Sequence, residues 1–472
     1  MRENEIVENS IQAEFKSAPI EKVIQLRDEQ KNYFRKGETK SLDFRVKTLK
    51  RIKLYILENQ NKISEALWKD LKKSYEEAYM TELSLVMAEL DLHIKKLKTW
   101  ARDEKRPTPL FLFPSRSKVM LEPLGVSLII APWNYPFLLV MAPLIGSISA
   151  GNCSVIKPSP DAKFTALFMD QMIRDLFDEH YVSCILGGKE LNEFILTLQW
   201  DHIFFTGSTR VGKIVMQSAS KNLTPITLEL GGKSPCVINK GANIEIAARR
   251  IAWGKTINAG QTCIAPDYIL IHQSLKEEFV KHFKSCIQSM YGGSVGSSHF
   301  YPRIINKSSF DRLVSYLTDG RVIYGGQYSE SDLFISPTLM DQIQVDARIM
   351  QDEIFGPLLP ILSFEENEEA LNEINKHDKP LAFYYFGPES GSVDFLNCIS
   401  SGSACINETV LHFANSRLPF GGVSGSGFGK YHGKESFLAF SNKKSVLTTP
   451  VWIDLPFRYP PFKYFKWIKK LL

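Results

Sequence analysis

Among the seven cysteines, at 153, 184, 236, 263, 286, 398 and 405, only Cys263 sits in a glycine-polar loop, Asn258-Ala-Gly-Gln-Thr-Cys-Ile-Ala-Pro266, immediately ahead of an apolar run. A thiol delivered on a loop is placed to attack an electrophile, whereas Cys153 and Cys236, inside apolar runs, read as small core residues. A cysteine nucleophile needs a base nearby. Glu229, in Thr227-Leu-Glu-Leu-Gly-Gly-Lys-Ser-Pro235, lies between two leucines and ahead of a glycine pair, which predicts partial burial and a raised pKa suited to general-base work. Taken singly, each residue has a plain structural alternative: a packed thiol, and a satisfied carboxylate at a strand end.

The segment Ile203-Phe-Phe-Thr-Gly-Ser-Thr-Arg-Val-Gly-Lys213 runs from an apolar strand through a turn holding Gly207 and Gly212 into a helix. Glycine there lets the backbone approach a pyrophosphate, and a helix N-terminus offers free N–H groups and a positive dipole end. It is neither the G-x-G-x-x-G fingerprint nor a P-loop, and the same glycines would serve a structural turn. The cysteines are odd in number, scattered and without a C-x-x-C pair, so neither a disulfide framework nor a zinc site is expected. No histidine pair has H-x-x-x-H or H-x-x-E-H spacing, and no catalytic metal is predicted.

These residues need a scaffold, and 472 residues are too many for one core, so two to three domains are expected. With 44% apolar and 23% charged residues the composition is that of a globular protein and excludes collagen-like and disordered readings. A net charge of +5 over this length is too small to imply nucleic-acid binding. The opening Met-Arg-Glu-Asn-Glu-Ile carries no apolar h-region, so no secretory leader is predicted and a reducing, cytoplasmic setting is expected.

From Glu21 to Arg106 the chain is charged, with Leu49, Ile52 and Ile56, then Ile63, Leu67 and Leu71, at helical spacing. Near Leu124 the pattern changes to short continuous apolar runs: Gly125–Ala131, Cys153–Ile156, His202–Phe205, Pro235–Ile238 and Tyr268–His272. These read as strands buried on both faces, separated by crossover helices. The expected fold is therefore α/β, with two doubly wound open sheets. Phe137–Gly151, interrupted by Pro143 and Gly146, is too short for a membrane span and reads as a buried helix.

Phe205-Thr-Gly-Ser-Thr209, Glu229-Leu-Gly-Gly-Lys233 and Gly260-Gln-Thr-Cys263 occur in this order, joined by Pro132-Trp-Asn-Tyr-Pro136, Lys157-Pro-Ser159 and Glu353-Ile-Phe-Gly-Pro357. The set resembles the aldehyde dehydrogenase superfamily. With Leu418-Pro-Phe-Gly-Gly-Val423 and Tyr431-His-Gly-Lys434 it is similar to the class 3 branch, which includes the fatty and aromatic aldehyde enzymes, over roughly Ser41 to Lys444.

The resemblance implies oxidation of hydrophobic aldehydes to carboxylic acids, in which Cys263 adds to the carbonyl carbon, Asn134 and the Cys263 N–H hold the oxyanion, and Glu229 activates water against the thioester. It implies NAD or NADP as cofactor. Lys157 is then directed to the adenosine ribose, Thr206, Gly207, Ser208 and Gly212 to the pyrophosphate, Glu353 to the nicotinamide ribose, and Trp133 and Phe355 to the ring region. The chain departs from the family where many members read Lys-Pro-Ser-Glu and this one reads Lys157-Pro-Ser-Pro160. The carboxylate that would pair with the ribose 2′-hydroxyl is missing, so NADP is expected to be accepted alongside NAD. His412, in Asn407-Glu-Thr-Val-Leu-His412, resembles a loop near the family's substrate funnel, where a structural role is at least as well supported. An acylating or acyl-phosphate-handling enzyme of the same superfamily and a catalytically silent scaffold are the competing readings; Glu229, the water activator, weighs against the first, and intact Cys263, Glu229 and Asn134 weigh against the second.

The expected division is residues 1–106 and 124–228 for the cofactor domain, 229–413 for the catalytic domain, and 107–123 with 414–450 for a small β bridging element. The resemblance implies a homodimer built through that bridge. The tail, 451–472, places Phe462, Phe465, Ile468 and Leu472 on one helical face and Lys463, Lys466 and Lys470 on another, which suits peripheral contact with an anionic membrane, or docking on the partner subunit. Arg458, Lys463, Lys466, Lys469 and Lys470 carry five positive charges with no acidic residue among them, so against a total of +5 the rest of the chain sums to zero.

Overall fold

The computed structural model describes residues 16–472 except 345, 455, 463, 464, 467, 468 and 470–472. Leu49, Ile52 and Ile56 are wholly buried on the helix Leu42–Glu58, which starts where Ser41 Oγ accepts from Phe44 N. Ile63, Leu67 and Leu71 are buried in the same way on Gln60–Leu71. These helices, with Ile20–Lys36 and Ser84–Trp100, cover one face of an α/β core.

The chain then forms β1 (Glu104–Arg106) and β2 (Arg116–Pro123), an antiparallel pair. Five parallel strands follow: β3 (Val126–Ile130), β4 (Cys153–Lys157), β5 (Val182–Cys184), β6 (His202–Thr206) and β7 (Ile226–Glu229). Their spatial order is β7-β6-β3-β4-β5, so the winding reverses between β3 and β6. The helix Leu138–Ala150, every residue buried, is one of the crossovers.

The second sheet is built from β8 (Pro235–Ile238), β9 (Tyr268–His272) and β10 (Arg321–Tyr324), then, after a hairpin of β11 (Tyr328–Ser329) and β12 (Phe334–Ile335), from β13 (Thr338–Asp341), β14 (Leu358–Phe364), β15 (Ala382–Phe386) and β16 (Ser403–Ile406). Its order is β10-β13-β14-β9-β8-β15-β16, and only the β10–β13 pair is antiparallel. The chain returns to the first sheet with β17 (Gly427–Phe428), antiparallel to β7 with Gly427 opposite Glu229, and ends its regular strands with β18 (Ser441–Thr448) along β2. The expected pair of open α/β sheets is thus present, with a separate three-stranded sheet β1-β2-β18 beside them in the chain. The carboxyl edge of the first sheet faces loops that run into the amino edge of the second.

Candidate active site

Glu229 closes β7, and the neighbouring strands deliver the other candidates to the same edge. Trp133 and Asn134 follow β3, Lys157 closes β4, and Thr206, Gly207 and Ser208 end β6. An edge where the winding reverses holds the crevice in which open α/β sheets bind ligands. Gly207 N donates to Glu229 O at 3.0 Å and ties two strand ends together. Ser208 caps the helix Thr209–Ser220, its Oγ accepting from Val211 N, and Gly212 packs in that first turn against Leu230. Thr206 Oγ1 is buried without a partner. Lys157, 1% exposed, donates to Pro158 O at 2.9 Å, and burial lowers its pKa to about 8. An orphan hydroxyl, a buried amine with donors to spare and a free helix N-terminus fit the ribose and pyrophosphate oxygens of a dinucleotide. Asp161, the next carboxylate along from Pro160, is exposed, and its Oδ1 accepts from Asn306 Nδ2 at 3.2 Å.

Cys263 and Glu353 come from the second sheet, ahead of β9 and β14. Before Cys263 the chain makes a tight turn with Asn258 and Ala259 left-handed at φ +50° and +51°. Side chains hold it there. Asn258 N donates to Glu77 Oε1 at 2.7 Å, and Asn258 Nδ2 donates to Asn134 O at 2.8 Å and Gln261 O at 3.0 Å. Asn134 Nδ2 in turn donates to Gln261 O at 3.1 Å, which places its amide two residues from the thiol with one N–H unspent. The buried pair Lys73–Glu82, 2.6 Å apart, braces the same loop: Lys73 Nζ donates to Asn134 O, and Glu82 Oε2 accepts from Phe137 N and Leu138 N.

Glu353 is positioned by a second buried pair. Lys233 Nζ lies 2.6 Å from Asp267 Oδ2 and donates to Ile349 O and Asp352 O, while Asp267 Oδ1 accepts from Ile354 N. Phe355 takes a left-handed φ of +50° and sets its ring edge-on to Trp133, centroids 5.3 Å apart. Gly231 leaves room for Glu353: a Cβ there would stand 1.9 Å from Oε2.

Burial, then the charges of Glu353 and Glu229, push the Cys263 thiol well up. Burial pushes Glu229 far above the usual carboxylate range, against the opposing Lys430 ammonium, and neither of its oxygens has a partner. A thiol reluctant to ionise beside a carboxylate with two open oxygens suits proton transfer between them or through water. On its other side Cys263 borders a cavity of about 420 Å³ walled by Leu138, Leu139, Trp253, Met290 and Phe413. The thiol therefore stands between an apolar funnel and the crevice. His412 is a brace: its rings' nitrogens lie 2.8 Å from Ser403 Oγ and 3.1 Å from Cys405 Sγ, burial lowers its pKa to about 4, and its neighbours Leu411 and Phe413 form funnel wall.

The bracing residues Lys73, Glu77, Glu82, Lys233 and Asp267 escape a reading of the sequence for chemistry. Lys233 and Asp267 do sit in the same stretches as Glu229 and Cys263; Glu77 and Glu82 carry no signal that sets them apart from a solvated helix face. Among the described residues, no three of His, Cys, Asp and Glu are grouped to hold a metal ion.

Residues 4–446 match the aldehyde dehydrogenase family profile. The chain is 43% identical to 4,4'-diaponeurosporen-aldehyde dehydrogenase of Staphylococcus aureus over 93% of its own length and 96% of the relative's. It is 41% identical to aldehyde dehydrogenase family 3 member B1 of Mus musculus, covering 91% and 92%. A solved structure described as the substrate-bound state of Staphylococcus aureus AldH superposes with a TM-score of 0.93 at 42% identity, over 95% of this chain and 99% of that one. With its motifs brought together from the strand ends of two sheets, its fold shared at that level and its family profile matched almost end to end, the chain belongs to the aldehyde dehydrogenase family.

Proposed function

We propose that the protein oxidises hydrophobic aldehydes to carboxylic acids with NAD or NADP. The observation that carries this is the position of Cys263 on the wall of an apolar funnel, its loop held by Asn134 and its thiol within the electrostatic reach of Glu229 and Glu353, the first of which closes a strand at the edge that also carries Lys157 and Thr206. Hydride cannot leave an sp² carbonyl carbon unaided. Cys263 adds to that carbon, its proton passing to water, and the resulting oxyanion is held by the unspent N–H of Asn134 and the Cys263 N–H. NAD(P), when bound in the crevice, supplies the hydride acceptor. Glu229 then takes a proton from water, which attacks the thioester and frees the acid and the thiol. Glu353 and Lys157 bind ribose hydroxyls, Trp133 and Phe355 confine the ring region, and the Thr206–Gly212 turn receives the pyrophosphate. NAD(P)H formation over aldehydes of graded length and aromaticity, with C263A as blank, tests the reading; no product above the blank for any aldehyde overturns it.

NADP is used as well as NAD, because position 160 offers proline rather than a carboxylate and Lys157 keeps donors free for a 2′-phosphate. An NAD preference above about a hundredfold in kcat/KM, roughly 2.7 kcal/mol, would remove this. Homodimer formation through the sheet β1-β2-β18 is supported by the long exposed edge of β18, and sedimentation velocity tests it. Among the described residues no helix is long and apolar enough to cross a membrane. Peripheral contact is supported by the exposed Leu110, Phe111, Phe113, Val451 and Trp452 ahead of the basic tail.

A further inference from the structure

One wall of the funnel is polar. Ser74, Glu76, Glu77, Thr81, Tyr135, Thr262 and Tyr291 all line the cavity that Cys263 borders. Glu76 is exposed to solvent, and five of the other six are committed within the protein. Ser74 Oγ accepts from Glu77 N at 3.2 Å, Thr81 Oγ1 donates to Glu77 O at 2.7 Å, Tyr135 OH and Thr262 Oγ1 pair at 2.6 Å, and Tyr291 OH donates to Thr256 Oγ1 at 2.8 Å.

Glu77 is the exception. The residue is 8% exposed, and its Oε1 accepts from Asn258 N at 2.7 Å. Among the described residues Oε2 has no hydrogen-bond partner, and it keeps access to the cavity. The same funnel is otherwise walled by Leu138, Leu139, Trp253, Met290 and Phe413. A carboxyl oxygen left open in such surroundings is costly unless something entering the cavity pairs with it. Burial raises the Glu77 pKa to about 7, against the nearby Lys73 and the Asn258 N–H. A hydroxyl, which both donates and accepts, suits that carboxyl in either protonation state.

We infer that Glu77 is a specificity-determining residue whose Oε2 pairs with a hydroxyl on the chain of the aldehyde, so that the site takes hydroxylated aliphatic aldehydes in preference to unsubstituted ones of the same length. This deepens the aldehyde-oxidation reading and rests on it. A hydroxyl entering an apolar funnel loses its water and is penalised; Glu77 reverses the sign of that discrimination at one depth along the chain.

The test is kcat/KM for decanal and for hydroxydecanals with the hydroxyl stepped along the chain, at saturating NAD(P), in the wild type, E77Q and E77L. At one hydroxyl position the wild type prefers the hydroxylated aldehyde by about tenfold, and in E77L the ratio falls to about one or below, as expected for loss of a charge-assisted hydrogen bond. E77Q keeps an oxygen for Asn258 N and offers the hydroxyl only a neutral amide, so its ratio falls by about threefold. It carries the test if E77L does not fold. Loosening of the Asn258 turn, the purely structural consequence, slows both aldehydes alike and cancels in the ratio. No preferred hydroxyl position in the wild type, or a ratio in E77Q equal to the wild type's, overturns the inference while leaving aldehyde oxidation standing. Oxidation of none of these aldehydes by the wild type removes both.

Discussion

Glu229 and Cys263 share surroundings that oppose charge on either of them, and this fixes how activity depends on pH. A general base works only when deprotonated. Because burial raises the Glu229 pKa, kcat should fall on acidification at a pH above the ordinary glutamate value of about 4.3, and E229Q should abolish that limb. In E229Q the hydrolytic step loses its base and kcat drops by about 10²- to 10⁴-fold. Formation of the thioester draws on Cys263 and Asn134, so stopped-flow mixing of E229Q with aldehyde and cofactor should show a burst of NAD(P)H close to one per active site before the slow phase. Loss of the burst in proportion to kcat would move Glu229 ahead of hydride transfer.

At the scale of elements, the segments that carry Asn134, Cys263 and Glu353 are held by braces that run from one element to another. Gly231→Ala places a methyl where Glu353 Oε2 now stands, 1.9 Å from its centre. The carboxylate is the far end of a flexible side chain and swings away, so the fold survives while the KM for NAD(P) rises by about tenfold, the loss of one hydrogen-bonded carboxylate. Steady-state titration of the cofactor reads it, and an unchanged KM detaches Glu353 from the ribose. Asp267→Ala strands the Lys233 ammonium, whose pair is almost wholly buried at 2.6 Å. The expected cost is about 3–5 kcal/mol in denaturant unfolding; a cost below 1 kcal/mol would mean that water reaches the pair. The strands that end at the site were legible beforehand, since a strand buried on both faces is an unbroken apolar run. Val126–Ile130, His202–Thr206, Pro235–Ile238 and Tyr268–His272 fall where such runs lie. Cys263 and Glu229 were legible as polar residues in glycine-rich ends of those runs. Glu77 was not, because it meets Asn258 across 181 positions and a glutamate on an amphipathic helix looks the same whether it faces water or a neighbouring loop. Gly427–Phe428 was not legible either: two residues have no periodicity, and only their pairing with β7 makes them a strand.

For the molecule as a whole, the charges over residues 1–457 sum to zero, so its net charge is that of five cations between Arg458 and Lys470. Most of the expected tail helix lies outside the described residues, while Phe462 and Phe465 within it are exposed. The tail starts near exposed apolar residues: Ser115 Oγ and Thr449 Oγ1 lie 2.8 Å apart, each two positions along the chain from an exposed apolar side chain, Phe113 and Val451. Apolar side chains next to concentrated positive charge gain from an anionic lipid surface on two counts, insertion and about 1 kcal/mol per basic residue near the surface. Full-length protein should therefore co-sediment with vesicles containing phosphatidylserine, and a chain stopped after Leu455, which lacks all five cations, should not. Raising the ionic strength to about 0.5 M shortens the screening length to a few ångström and should release most of the bound protein. Neutral vesicles, which offer insertion alone, should bind it weakly at any salt. Equal binding by the two chains would exclude the tail as a membrane contact and leave it to the partner subunit, where truncation would appear instead as weaker dimerisation in sedimentation velocity.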